Sequence, residues 1–206
     1  METLETERLL LRPMDWDDLP FFSRLHADPD VIRFLGSGQP RSEQQTREWL
    51  QRTLRWYAED NLGYHALVRK ADNQLIGRGG LTCYEIELSK EGNEPLTHWG
   101  KGSTPYHVAV SREVDLSCTL ERAAWGHGLA TEAMQLLRDQ AFRQRGFERL
   151  IALLHPDNVV AHHLAEKLGF RKQPERVTVS KRSFLRFGMT REEWTAASAL
   201  TGGAAP

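Results

Sequence analysis

Cysteine is scarce in this sequence, which has Cys83 and Cys118 as its two cysteines among 206 residues. Two cysteines so far apart provide neither the disulfide framework of a small secreted protein nor the paired spacing of a zinc site. No other set of histidines, cysteines and carboxylates has a convincing metal-ligand spacing either. We therefore expect a protein of the reducing cytoplasm that uses no metal.

The sequence also lacks long apolar runs and a charge excess of one sign. No stretch approaches the length of a membrane span, and the N-terminal METLETERLLLRP carries acidic residues where a signal peptide needs basic ones. The formal net charge is −1, which argues against nucleic acid as a partner. With 40% hydrophobic and 27% charged residues, the composition is typical of a soluble globular protein with no membrane partner.

The apolar periodicity predicts one α/β domain that covers residues 1–206. The predicted order is a strand, two helices, a hairpin, further strands, a helix, a strand, a helix and final strands. Ser42 and Gln45 are spaced as a capping box at the start of the second helix, and Asp72 and Asn73 mark the hairpin turn. This order predicts a mixed central sheet with helices on both faces, in which a strand–helix–strand crossover joins parallel neighbours.

Two segments fall outside the regular pattern. Residues 89–104 contain three glycines and a proline with little periodicity, which predicts an irregular insertion. Its His98, Trp99 and Lys101 could grip a ligand, or the insertion could be a surface decoration, and the sequence leaves both open. The tail of about residues 200–206 is predicted to be frayed.

One short stretch, ERAAWGHGLATEAMQLL at residues 121–137, places Gly126 and Gly128 at the start of a predicted helix. Backbone N–H groups at a helix start lack intrahelical partners and, together with the helix dipole, form an anion site suited to phosphate. The alternative is a tight turn with close helix–sheet packing and no ligand. A Walker loop is excluded because no Lys-Ser/Thr pair follows, and Thr131 stands where a dinucleotide fingerprint needs a third glycine.

This stretch and three others carry a family resemblance. VDLSCTLERAAWGHGLATEAM resembles the strand–loop–helix signature of the GNAT superfamily of N-acetyltransferases, in its RimJ/RimL-like branch. DNVVAHHLAEKLGF at residues 157–170 resembles the second signature, TERLLLRP the first strand and FGMTREEW the closing segment. The resemblance covers most of the chain and implies the GNAT fold, a mostly antiparallel central sheet with a splayed parallel strand pair.

The resemblance implies that acetyl-CoA is the co-substrate and that a primary amine, either a protein N-terminus or a small molecule, is the acceptor. The amides of residues 127–131 would hold the pyrophosphate, the backbone of residues 119 and 120 would align the pantetheine arm, and an asparagine would contact that arm. The implied cofactor-binding residues are Thr119, Leu120, Trp125, Gly126, His127, Gly128, Leu129, Ala130, Thr131 and Asn158. A homodimer is left open.

Two catalytic candidates follow from the chemistry of acetyl transfer, which needs a base for the amine and a donor for the thioester carbonyl. Asp115 matches the glutamate of the family's strand and is interpreted as the base, with a structural carboxylate as the alternative. The backbone amide of Leu120 is the candidate donor. Glu113 and Glu121 are interpreted as solvated charges at the strand ends.

The general acid is not identified, because Ala165 and Ala161 stand where many relatives carry a tyrosine and a serine. These two substitutions favour a competing interpretation, a non-catalytic acyl-CoA-binding or regulatory module. His155, His162 or His163 could replace the missing acid, although solvated helix histidines are common. Cys118 is interpreted as a small buried residue rather than a nucleophile, since no basic partner is identifiable beside it.

Overall fold

The computed structural model describes residues 1–88, 94–99 and 108–200. The chain forms two compact units, of which one comprises Met1–Thr82 with Ser117–Leu137 and the other Cys83–Leu116 with Arg138–Pro206. The single domain expected from the sequence stays a prediction. Much of the predicted insertion, residues 89–93 and 100–104, and the tail beyond residue 200 lie outside the described residues.

The strands of the first unit are antiparallel. They are β1 (Leu4–Glu5), β2 (Leu9–Pro13), β3 (Gly63–Arg69) and the first part of β4 (Gln74–Glu87), hydrogen-bonded in that order. The last part of β6 (Val110–Leu120) follows β4, and the Glu121 N–H donates to the Ile76 carbonyl at 2.9 Å. The predicted hairpin turn is confirmed, with Asn73 at a φ of 55°, a left-handed conformation that asparagine tolerates.

The helices of the first unit are α1 (Leu19–Ala27), α2 (Pro29–Ile32), α3 (Glu43–Glu59) and the first part of α4 (Leu129–Arg143). Of these, α3 and α4 begin where the sequence predicts them, directly after Ser42 and after the two glycines. Both hydrogen bonds of the Ser42–Gln45 capping box are present at the start of α3. On β4, the Arg78 guanidinium lies 5.2 Å from the ring centroid of Trp49 on α3, whereas a Cβ on Gly79 would lie 3.4 Å from Leu137 on α4. Because adjacent strand residues point to opposite faces, the two helices cover opposite faces of β4, as predicted.

The second unit contains the parallel pair. The end of β4 pairs with β5 (Thr97–Trp99), and β6 runs parallel to β7 (Arg149–Leu154) with Asp115 opposite Ile151. On its other side, β7 pairs antiparallel with β9 (Arg182–Thr190), and β9 pairs antiparallel with β8 (Arg171–Val179). α5 (Val159–Lys167) and α6 (Arg191–Leu200) complete the unit. Its apolar cluster consists of Tyr84, Ile86, Ile151, Leu153, Val177, Val179 and Phe184.

The predicted fold class is confirmed: a mixed α/β structure with a mostly antiparallel sheet, in which β6 and β7 are the parallel pair among the described strands. None of the helices within the described residues is both long enough and apolar enough to cross a membrane.

Candidate functional site

The two glycines after β6 have a backbone conformation that L-residues rarely adopt. The φ angles are 79° at Gly126 and 75° at Gly128, so the turn itself requires glycine. A Cβ on Gly126 would meet no described heavy atom within 4 Å, and one on Gly128 would meet the Arg8 Nη2 atom at 3.5 Å. The described residues thus leave open space beside Gly126, whereas Gly128 packs against Arg8. The tight turn considered from the sequence is present, and the binding of an anion to it stays a prediction.

The start of α4 lies directly behind this loop. The Glu132 N–H donates to the Gly128 carbonyl at 3.1 Å, so the amides of residues 129–131 precede the first intrahelical hydrogen bond. These amides and the positive end of the helix dipole directly follow the glycine loop in the chain. The arrangement fits a phosphate group.

Trp125 connects the loop to the end of β6. Its indole Nε1 donates to the Leu120 carbonyl at 2.8 Å, while nearly half of the side chain stays exposed. Because the Glu121 N–H points to β4, strand alternation directs the N–H of Leu120 away from β4. Thr119 and Leu120 are both buried, so this strand end is held firmly.

Arg8, on the N-terminal side of β2, reaches the glycine loop, which the sequence analysis missed. Its Nη1 donates to the His127 carbonyl at 2.9 Å, and its Nε donates to the Glu132 carboxylate at 2.6 Å. Burial alone would raise the pKa of Glu132, but hydrogen bonds from Thr6 and Arg8 lower that pKa below its usual value. The guanidinium is thereby fixed beside Gly128 as one half of an ion pair with Glu132.

Asp115 is buried in the second unit, with 4% of its surface exposed. Its Oδ1 accepts the Leu153 N–H at 3.0 Å, two residues beyond the Asp115–Ile151 register pair. A side chain thus replaces a backbone acceptor for β7, which is the structural role considered from the sequence. Its role as a catalytic base stays a prediction.

The interpretation of Glu113 as a solvated charge is wrong. Glu113 is 3% exposed and accepts hydrogen bonds from Arg149 Nε at 3.0 Å, Arg186 Nη2 at 2.8 Å and Ser111 Oγ at 2.9 Å. The two arginines come from β7 and β9. Only the sheet register brings them to β6, so local sequence could not reveal the ion pair.

Asn158 has an observed local role as the N-cap of α5, since its Oδ1 accepts the Ala161 N–H at 3.3 Å. Its contact with pantetheine stays a prediction. The neighbouring histidines also have local partners: the His162 ring lies 3.0 Å from the His155 carbonyl, and the Asp157 N–H donates to His155 Nδ1 at 3.2 Å. These contacts give no support to either histidine as the missing acid.

Cys118 does not have the properties of a nucleophile, because burial raises the pKa of its thiol to about 12. Across residues 1–88, 94–99 and 108–200, no group of three or more histidine, cysteine, aspartate or glutamate side chains could hold a metal ion.

Comparison with known proteins places this geometry in a family context. Residues 8–171 match the family model of the acetyltransferase (GNAT) domain. An "Uncharacterized N-acetyltransferase p20" of Bacillus licheniformis is 25% identical over 173 residues, which are 84% of each chain. An "Uncharacterized protein YkkB" of Bacillus subtilis strain 168 is 29% identical over 167 residues, 81% of this chain and 83% of that one.

A solved structure shares the fold. It is RimL, a ribosomal-protein alpha-N-acetyltransferase in complex with coenzyme A, and it is 14% identical with a TM-score of 0.66 over 92% of this chain and 98% of its own. The family model covers well over half of the chain, including the glycine loop and Asp115. The chain therefore belongs to the GNAT acetyltransferase family.

Proposed function

We propose that this protein is an acetyl-CoA-dependent N-acetyltransferase that moves an acetyl group directly to a primary amine. The observation that carries the proposal is the glycine loop, in which two left-handed glycines precede the first amides of α4 and the described residues leave open space beside Gly126. A diphosphate is an anion of the size and charge that such a loop binds.

The first unit supplies the groups for coenzyme A. The amides of His127, Gly128, Leu129, Ala130 and Thr131 hold the pyrophosphate, and the guanidinium of Arg8, paired with Glu132, braces the loop at the His127 carbonyl. Thr119 and Leu120 align the pantetheine arm through their backbone, and Trp125 keeps the loop attached to that strand end. In the second unit, Asn158 contacts the arm in addition to capping α5.

Acetyl-CoA supplies the acetyl group as a thioester. The amine nitrogen attacks the carbonyl carbon, the carbon–sulfur bond breaks and the coenzyme leaves as a thiolate. The Leu120 N–H, which points away from β4, donates to the carbonyl oxygen as negative charge develops there. Asp115 accepts the amine proton as general base.

Within the family we assign the chain to the RimJ/RimL-like branch. The support is the WGHGLATEA stretch together with a fold likeness to RimL. The acceptor is a primary amine on a protein N-terminus or on a small molecule, in the cytoplasm.

A second candidate is a non-catalytic acyl-CoA-binding or regulatory module. It is favoured by Ala161 and Ala165, which carry no group able to protonate the departing thiolate. The hydrogen bonds that His155 and His162 make with neighbouring backbone groups also favour this second candidate.

Thiol release separates the two candidates. The protein is incubated with acetyl-CoA and a panel of peptides and small amines, and free thiol and acetylated product are both quantified. We expect product with at least one amine. Tight binding of coenzyme A by calorimetry without turnover of any amine would instead establish the binding module.

A further inference from the structure

Arg78 is a charged residue of β4 that the proposed chemistry does not use. It is 5% exposed, and its Nε and Nη1 atoms have no hydrogen-bond partner among the described residues. The guanidinium lies 4.1 Å from the ring centroid of Tyr64 and 5.2 Å from that of Trp49. Cation–π contacts offset only part of the free energy that burying a charge costs. The residue is thus prepared for an anion that the described chain does not supply.

Other buried polar atoms without described partners belong to α1 and β4, the elements that carry His26 and Arg78. The His26 ring lies 4.6 Å from Trp49, so Trp49 contacts both His26 and Arg78. The unpartnered atoms are His26 Nε2, Ser23 Oγ and Thr82 Oγ1. Ser23 is one helical turn before His26, and Thr82 lies on the same face of β4 as Arg78. Folded proteins leave few such atoms, so their occurrence on the two elements whose His26 and Arg78 both contact Trp49 indicates a polar ligand site.

The charge at this site is that of the guanidinium. Burial, with the nearby cations Arg78 and Arg41, lowers the pKa of His26 to about 2, so its imidazole stays neutral. A guanidinium is planar, permanently protonated and shaped to bind a carboxylate through two parallel hydrogen bonds. A carboxylate fits the nearly closed setting better than a larger anion, because little of Arg78 is exposed.

The cluster lies on the strand face next to the proposed acetyl site. The hydrogen bond from Glu121 to Ile76 sets the register between β6 and β4, which places Thr119 opposite Arg78 on the same face. Ser117 Oγ, on that same face of β6, donates to the Tyr64 hydroxyl at 3.5 Å. An anion held by Arg78 would therefore lie close to residues 119 and 120.

We propose that the acceptor is a small primary amine that also carries a carboxylate, and that Arg78 binds this carboxylate beside the rings of Tyr64 and Trp49. The inference rests on the proposed function for the reaction, whereas the anion site itself does not depend on turnover.

Acetylation of a series of ω-amino acids of increasing chain length tests this inference. Each amino acid is compared with the corresponding carboxamide, which has the same length but no negative charge. Wild-type protein is expected to show a kcat/KM roughly 10- to 100-fold higher for the carboxylate of the best length, the range expected for hydrogen bonds to a charged group. Arg78→Met abolishes the preference with the KM for acetyl-CoA unchanged, and Arg78→Lys retains part of it. The matched control is Arg47→Met, which removes an exposed arginine of α3.

Two further measurements keep the inference falsifiable without turnover. Arg78→Met should keep or raise the midpoint of thermal unfolding, because it removes an uncompensated buried charge; a clear fall would mean a structural role and overturn the inference. The best carboxylate should stabilise the wild-type protein and not the Arg78→Met variant. If the carboxylate stabilises only the wild-type protein but no amine is acetylated, the proposed function is wrong and the anion site stands. If carboxylates and carboxamides stabilise the wild-type protein equally, the inference is wrong and the proposed function stands.

Discussion

At Asp115, one carboxylate oxygen already serves the backbone of β7 through the Leu153 N–H. An asparagine keeps that oxygen in place and removes the negative charge. Asp115→Asn therefore separates the observed structural role from the proposed catalytic one, which a larger change at this buried position would not do.

We expect Asp115→Asn to lower turnover by ~10²- to 10⁴-fold, the usual contribution of a general base. The KM for acetyl-CoA should change little, and the deficit should shrink at high pH, where the amine is already deprotonated. Steady-state rates across a pH series measure this. Wild-type activity, or a loss that does not vary with pH, would leave Asp115 with its structural role alone.

At the scale of elements, α4 has a left-handed glycine just before its start and another just after its end. Gly128 has a φ of 75° and Gly146 a φ of 72°, and a Cβ on each would lie 3.5 Å and 3.7 Å from an arginine Nη2 atom. The two positions are matched in backbone strain. They differ in the helix end they occupy, because the free amides are at the start of α4.

Gly128→Glu should abolish coenzyme A binding, whereas Gly146→Glu should leave it intact. Both variants lose stability by about 1 to 2 kcal/mol through the left-handed backbone, but only the first places a carboxylate in the proposed phosphate site. Calorimetry with coenzyme A on folded protein distinguishes them. Unchanged affinity in the Gly128 variant would contradict the assignment of the loop, and equal loss in both variants would reduce it to a general effect of strain.

The elements that could be predicted from sequence are those defined by hydrogen bonds and turns between residues only a few positions apart. Ser42 and Gln45 bond each other across three positions, and the same local logic applies to Thr190 and Glu193 at the start of α6. The glycine loop was also readable, since its turn and its helix are contiguous. These signals need no knowledge of the sheet register.

At the scale of the whole molecule, the residues that sequence analysis misjudged all depend on distant partners. Glu113 is neutralised by Arg149 and Arg186, which are 36 and 73 positions away. Arg8 meets Glu132 across 124 positions. The Glu113 pairs form only when β6, β7 and β9 align in one register, and a one-residue slip would send each side chain to the other face of the sheet. The Arg8–Glu132 pair forms only when the N-terminal segment meets α4.

The stability of the whole protein should depend on pH through His26. Its folded pKa of about 2 lies below the ordinary 6.5, so in acid the unfolded chain binds a proton that the folded chain does not. Through His26, the free energy of unfolding is therefore at its full value above pH 6.5. Below pH 6.5 it falls by about 1.4 kcal/mol per pH unit.

Urea unfolding at a series of pH values between about 6.5 and about 4.5 measures this contribution. His26→Gln should lower the slope of unfolding free energy against pH relative to the wild-type protein. The control is His163→Gln, which removes an exposed histidine of α5 and should leave the slope unchanged. Identical slopes in all three proteins would rule out His26 as the source.

The contact between Arg8 and Glu132 also bears on how the protein folds. Contacts between residues so far apart in sequence close a large loop, which costs chain entropy and slows folding. The glycine turn can form early from local interactions, but its guanidinium arrives only when the N-terminal strand docks. A partly folded chain would therefore present the loop without Arg8. Because a ligand stabilises the state that binds it, coenzyme A would favour the fully folded chain, in which Arg8 is in place.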